Sequence, residues 1–108
     1  MTQTEFGRIF TSVLDMGEIM LTSGAEVNRV EDTLQRMLKA YGCQRVDVFT
    51  ITSSIVVTVR TSENEALTQT RRITNYETDM HKLELCNALS RRVCLKTASP
   101  QELEEEVE

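Results

Sequence analysis

The spacing of hydrophobic residues changes twice along this chain, and no other feature limits its fold so sharply. From residue 4 to 42 apolar side chains recur every three or four positions. After Gly42 the period changes, with Ile55, Val57 and Val59 alternating against Val56, Thr58 and Arg60, and from 79 to 96 the longer spacing returns. The longer spacing marks helices with one buried face, and the alternation marks half-buried strands, so the order is helices, strands, helix. Within the first stretch, Phe6, Ile9, Phe10, Val13, Leu14, Met16, Gly17, Met20 and Leu21 cover a wide arc. Arg8, Thr11, Asp15, Glu18 and Thr22 are left as a narrow polar stripe. A helix so patterned, from about Thr4 to Thr22, is largely buried, and Gly17 within its apolar arc lets another element come close.

A second helix is expected over Ser23–Gly42. Ser23 followed by Glu26 is a capping-box pattern, and Val27, Val30, Leu34, Met37, Leu38 and Tyr41 form its apolar arc. Gly42 suits the left-handed residue at which helices turn off. Asn28, Arg29, Asp32, Gln35, Arg36 and Lys39 occupy the opposite side, with Glu26 and Glu31 at the two edges of the arc. The two helices form a hairpin hinged at Thr22–Gly24, and the remaining elements are expected to gather around the second.

Three strands follow: Gln44–Ile51 and Ser54–Arg60, both rich in β-branched residues, and Ala66–Ile73 with Arg71 and Arg72 at its end. The short turns at 52–54 and 61–65 favour an antiparallel meander. From about Asp79 to Lys96, Leu83, Cys86, Leu89 and Val93 line one helix face, while His81, Glu84, Asn87, Ala88, Arg91 and Arg92 face outward. Ser99, Pro100 and Glu102 then mark a last helix start. The expected fold class is α+β, a helical hairpin and C-terminal helices packed in two layers on a three-stranded antiparallel sheet.

Composition narrows the functional classes. A length of 108 residues fits one domain, and a formal charge of −5 argues against a nucleic-acid partner. Five of the acids, Glu102, Glu104, Glu105, Glu106 and Glu108, lie at the C-terminus, so the body is near neutral. Cys43, Cys86 and Cys94 have no metal-type spacing and read as reduced thiols. No stretch has the apolar length of a membrane helix, and no signal peptide is written at the N-terminus. A Gly-rich phosphate loop, a histidine pair and a thiol motif are all missing, so neither a metal nor a cofactor is expected.

Four segments resemble a known family in its own order. The run from Gly17 to Glu31, closest at Ser23-Gly24-Ala25-Glu26 and Arg29-Val30-Glu31, is similar to the opening motif of the soluble N-terminal domain in the threonine/serine exporter family. Val48 to Ile55 resembles that domain's strand and turn, Thr70 to Ile73 the end of its third strand, and Lys82 to Arg91 its following helix. The likeness spans nearly all of residues 5–103. One departure is Ile51, where the family pattern has proline.

The resemblance implies a soluble, cytoplasmic domain of a cell-membrane protein exporting threonine and serine or, in some members, small dicarboxylates. On this reading residues 1–98 are the domain, and 99–108 begin a further helix interrupted before membrane segments. Expected partners are the membrane domain of the same or a companion exporter chain, a small amino acid or dicarboxylate, and a second copy in a homo-oligomer. The candidate ligand-binding residues are Glu26, Arg29, Glu31, Thr50, Thr52, Arg71 and Arg72. Arginine can clasp a carboxylate in a bidentate pair, and acids with hydroxyls can orient an amino group or a water. Two other readings compete with a regulatory, assembly or cargo-sensing role. An amidase-like hydrolase requires Glu26, Arg29 and the Thr50–Ser53 turn to converge in one pocket, and a free-standing binding module requires no membrane partner. Helix-surface ion pairs at three- and four-residue spacing explain many of the same residues structurally.

Overall fold

The computed structural model describes residues 2–51, 53–75 and 79–107. Helices α1 (Gln3–Thr22) and α2 (Val27–Ala40) come first, then strands β1 (Arg45–Ile51), β2 (Ser54–Arg60) and β3 (Ala66–Arg72). Helices α3 (Met80–Leu95) and α4 (Pro100–Val107) follow. The sheet order is β1-β2-β3 and both pairings are antiparallel, so the expected α+β meander is observed.

Register assigns every strand residue to a face. Val46, Val59 and Leu67 lie side by side, as do Val48, Val57 and Gln69, and then Thr50, Ile55 and Arg71. These rows face the helices, and Ile55, Val57 and Val59 are almost fully buried. The intervening rows, including Phe49 beside Val56 and Thr70, form an open face on which Phe49 is 65% exposed. A one-residue slip would exchange the two sets, so the buried β2 triplet pins the register.

Helix α1, rather than α2, occupies the centre: it packs against α2, α3, α4 and β3. Its residues Ile9, Val13, Leu14 and Met20 are wholly buried. The wide apolar arc explains this, because a helix that is apolar around most of its circumference needs partners on several sides. Gly17 lets one of them approach: a Cβ there would lie 2.9 Å from Cδ2 of Leu34 on α2.

The hairpin between α1 and α2 is present, but its chemistry differs from the expected capping box. Ser23 ends α1 and does not start α2. The Gly24 amide donates to the Leu21 carbonyl (3.2 Å) and the Ala25 amide to the Met20 carbonyl (3.0 Å), with Gly24 at φ +105°. That pair of bonds is a Schellman ending, and it uses the residues that a capping box would need. Helix α2 then starts at Val27 with Glu26 as its N-cap, whose side chain makes no capping bond. The same ending recurs after α2, where Gly42 (φ +93°) donates to Lys39 and Cys43 to Leu38.

Helix α4 shares the common core. Leu103 is fully buried, and Arg8 of α1 holds the Glu104 carboxylate through two hydrogen bonds of 3.1 and 2.6 Å. Its start is built as the sequence suggests: the Glu102 amide donates to the Ser99 hydroxyl, which donates to the Glu102 carboxylate. Tyr41 ties the preceding loop to the end of α2, its hydroxyl donating to the Ala98 carbonyl and accepting from the Ala98 amide.

Candidate functional site

The polar faces of α2 and α3 look onto one another across a cleft of about 510 Å³. From α2 come Arg29, Asp32, Thr33 and Arg36, and from α3 come Asn87, Ser90, Arg91, Cys94 and Leu95. Within each helix the spacing is i, i+3, i+4, i+7, which puts each set on one stripe. Both helices bury their apolar arcs against α1, so the stripes that flank those arcs meet.

Three guanidiniums therefore share one groove with a single carboxylate, in a chain whose net charge is −5. Asp32 pairs with Arg36 at 3.0 Å, an exposed contact between successive turns. Among the described residues Arg29 and Arg91 have no ion-pair partner. Ser90 donates its hydroxyl proton to the Asn87 carbonyl, leaving the Asn87 amide group and the Ser90 lone pairs for a guest. Chemically this is an anion-accepting cleft with neutral polar groups on one wall. A neighbouring groove of about 500 Å³ between α3 and α4 differs, since its Arg92 already pairs with Glu106 at 2.9 Å and Glu102 and Glu105 also line it.

The seven sequence-derived candidates are distributed over the molecule. Arg29 lines the α2–α3 cleft. Glu31 and Thr50 are brought together elsewhere, the Glu31 carboxylate accepting from the Thr50 amide at 2.8 Å. That amide lies on the outer edge of β1, so the contact shields an edge strand with a charge from α2. Thr50 itself is buried and its Oγ1 has no hydrogen-bond partner. Arg71 joins β3 to α1, donating to Asp15 at 3.0 Å and to the Thr11 carbonyl at 3.3 Å, with Glu18 at 3.6 Å. Arg72, one residue on, belongs to the opposite, open face beside Ser54 and Ile51. Glu26 stands exposed at the start of α2, and Thr52 lies outside the described residues. The cleft lining includes Arg29 but not Glu26, Thr50 or Ser53.

Asn87, Ser90, Arg91 and Cys94 were not among the candidates, although their i, i+3, i+4, i+7 spacing was visible. What the sequence lacked was the angle at which α3 returns to α2. Cys94 is the exposed thiol of the three, whereas burial raises the Cys86 thiol and pushes that of Cys43 up to about 11. Among the described residues no group of three or more His, Cys, Asp or Glu side chains is placed to hold a metal ion.

The profile of the family described as "putative threonine/serine exporter" matches residues 11–108. The chain belongs to the threonine/serine exporter family. The match covers every element of the fold except the first turns of α1. Searches of curated proteins and of solved structures returned no significant match. This exporter-related chain has, among its described residues, no helix long and apolar enough to cross a membrane.

Proposed function

We propose that this member of the threonine/serine exporter family is a cytoplasmic regulatory domain that senses exported cargo in the α2–α3 cleft. It acts with a membrane domain on the same or a companion chain. The observation that carries the reading is the meeting of Arg29, Arg36 and Arg91 in one groove, two of them without an ion-pair partner among the described residues. Threonine, serine and small dicarboxylates all carry a carboxylate that a guanidinium can clasp through two parallel hydrogen bonds. Asp32, on the same wall, offers a counter-charge to an amino group. Three free cysteines support a position on the cytoplasmic side.

The test is thermal unfolding of the purified chain with threonine, serine and small dicarboxylates at millimolar levels, beside Arg29→Ala and Arg91→Ala. A ligand at about 100 times its dissociation constant adds roughly 2.7 kcal/mol. For a domain of this size that corresponds to a rise of about 10 °C. The expected result is a rise with at least one compound that both variants lose. No rise with any of them would refute cargo sensing and leave an assembly role, alone or as a homo-oligomer.

A further inference from the structure

We propose that the open face of the sheet docks on a bilayer surface carrying anionic headgroups. Its rows are Arg45, Arg60 and Ala66; Asp47, Thr58 and Thr68; Phe49, Val56 and Thr70; and Ile51, Ser54 and Arg72. Phe49 is 65% and Ile51 45% exposed, two large apolar side chains on one face of the same strand. Three arginines and one aspartate give this face a positive balance, although the chain as a whole carries −5. Arg45 is paired with Asp47 at 3.0 Å and Arg60 reaches the Asn64 carbonyl at 3.2 Å, both within hydrogen-bonding range but exposed. Arg72 has no ion-pair partner among the described residues. The acidic run Glu104–Glu106 belongs to α4, which packs against α1 in the helical layer.

Protruding aromatic and aliphatic groups between cations suit the boundary of headgroups and acyl chains, where the ring is buried while the guanidiniums reach phosphates. Two copies of this face would each bring a positive balance to their contact, so charge favours an acidic surface over a second copy. The inference rests on the exporter reading only in that a domain of such a protein lies within reach of a bilayer. Its face is separate from the α2–α3 cleft, and each can fail alone.

Co-sedimentation with vesicles tests it. The chain should bind phosphatidylcholine vesicles containing about a third phosphatidylglycerol, and bind pure phosphatidylcholine far less, since each cation near the surface contributes about fivefold. Binding should weaken as salt rises to about 0.5 M, where charges are screened beyond roughly 4 Å. Phe49→Ser combined with Ile51→Ser should abolish it, and Arg72→Gln should weaken it about fivefold. The protein has no tryptophan, so Phe49→Trp gives a lone reporter whose emission should shift to the blue on anionic vesicles. Absence of binding to anionic vesicles, or binding untouched by the double serine variant, would overturn the proposal. So would sedimentation velocity showing a wild-type dimer that this variant converts to monomer, because a second copy would then cover the face.

Discussion

Alanine at Gly17 measures how closely α1 and α2 are fitted, because an identical substitution elsewhere in the same helix supplies the control. A helical alanine is favoured over glycine by roughly 1 kcal/mol. At Gly7 a new Cβ would meet nothing within 4 Å, so Gly7→Ala should gain that amount. At Gly17 the new Cβ would fall 2.9 Å from Cδ2 and 3.1 Å from Cδ1 of Leu34. Leu34 is fully buried and cannot swing into solvent. Crowding a packed core by a methyl group costs about 1–3 kcal/mol, which cancels or outweighs the helical gain. The net expectation for Gly17→Ala is a loss between roughly 0 and 2 kcal/mol. For a chain of this length about 1 kcal/mol moves the midpoint by some 4 °C, so the two alanine variants should differ by roughly 4–12 °C. Thermal and urea unfolding followed by circular dichroism will measure it. The deciding arm is a Leu34→Ala background, itself destabilised by about 2–5 kcal/mol. There the obstructing methyl groups are gone, and Gly17→Ala should become stabilising by roughly 1 kcal/mol, as at Gly7. If Gly17→Ala instead stabilises the wild type as much as Gly7→Ala does, the inferred close approach of the helices is refuted.

Three further outcomes are expected. Glu31→Ala leaves the Thr50 amide without its acceptor and should cost about 1–3 kcal/mol, with faster hydrogen exchange at that amide. Glu31→Gln keeps a carbonyl oxygen there and should recover most of the loss in denaturant unfolding. The Glu104 carboxyl is held below its usual value of 4.5 by the hydrogen bond from Arg8. A folded value below the unfolded one means that this contact stabilises above the unfolded value and is lost as pH falls through the folded one. The advantage of the wild type over Glu104→Gln in unfolding midpoint should therefore shrink as pH drops below 4.5. Finally, thiol labelling near neutral pH followed by peptide mapping should modify Cys94 first. Buried Cys86 and Cys43, the latter pushed up to about 11, should react only as the fold opens.

Local spacing and composition located the first six elements of the described residues, because the face that each buries is written in nearby residues, and the Ser99-Pro100-Glu102 start signal located α4. The β2 alternation of Ile55, Val57 and Val59 with Val56, Thr58 and Arg60 located that strand at its observed limits. At the α1–α2 turn local pattern misleads. Ser23-Gly24-Ala25-Glu26 has the spacing of a helix start, yet the left-handed Gly24 backbone makes Ser23 a helix end. Candidate site residues were harder, since Arg29 and Arg71 look alike in sequence. One stands in an open cleft, and the other is engaged by Asp15 and the Thr11 carbonyl. Likewise Glu31 has the appearance of a helix-surface acid until β1 is laid beside it, when it becomes the acceptor for an edge amide.

The amino-acid sequence by itself determined the order and type of the elements, the buried arcs and the family likeness, all of which depend on neighbours a few residues apart. Tertiary structure alone decided that α1 and not α2 is central, that Arg91 joins Arg29 across a cleft, and that Phe49 stands on an uncovered face. Those outcomes depend on the angles at which whole helices and strands pack, a property shared among residues distant in the chain and legible in none of them singly.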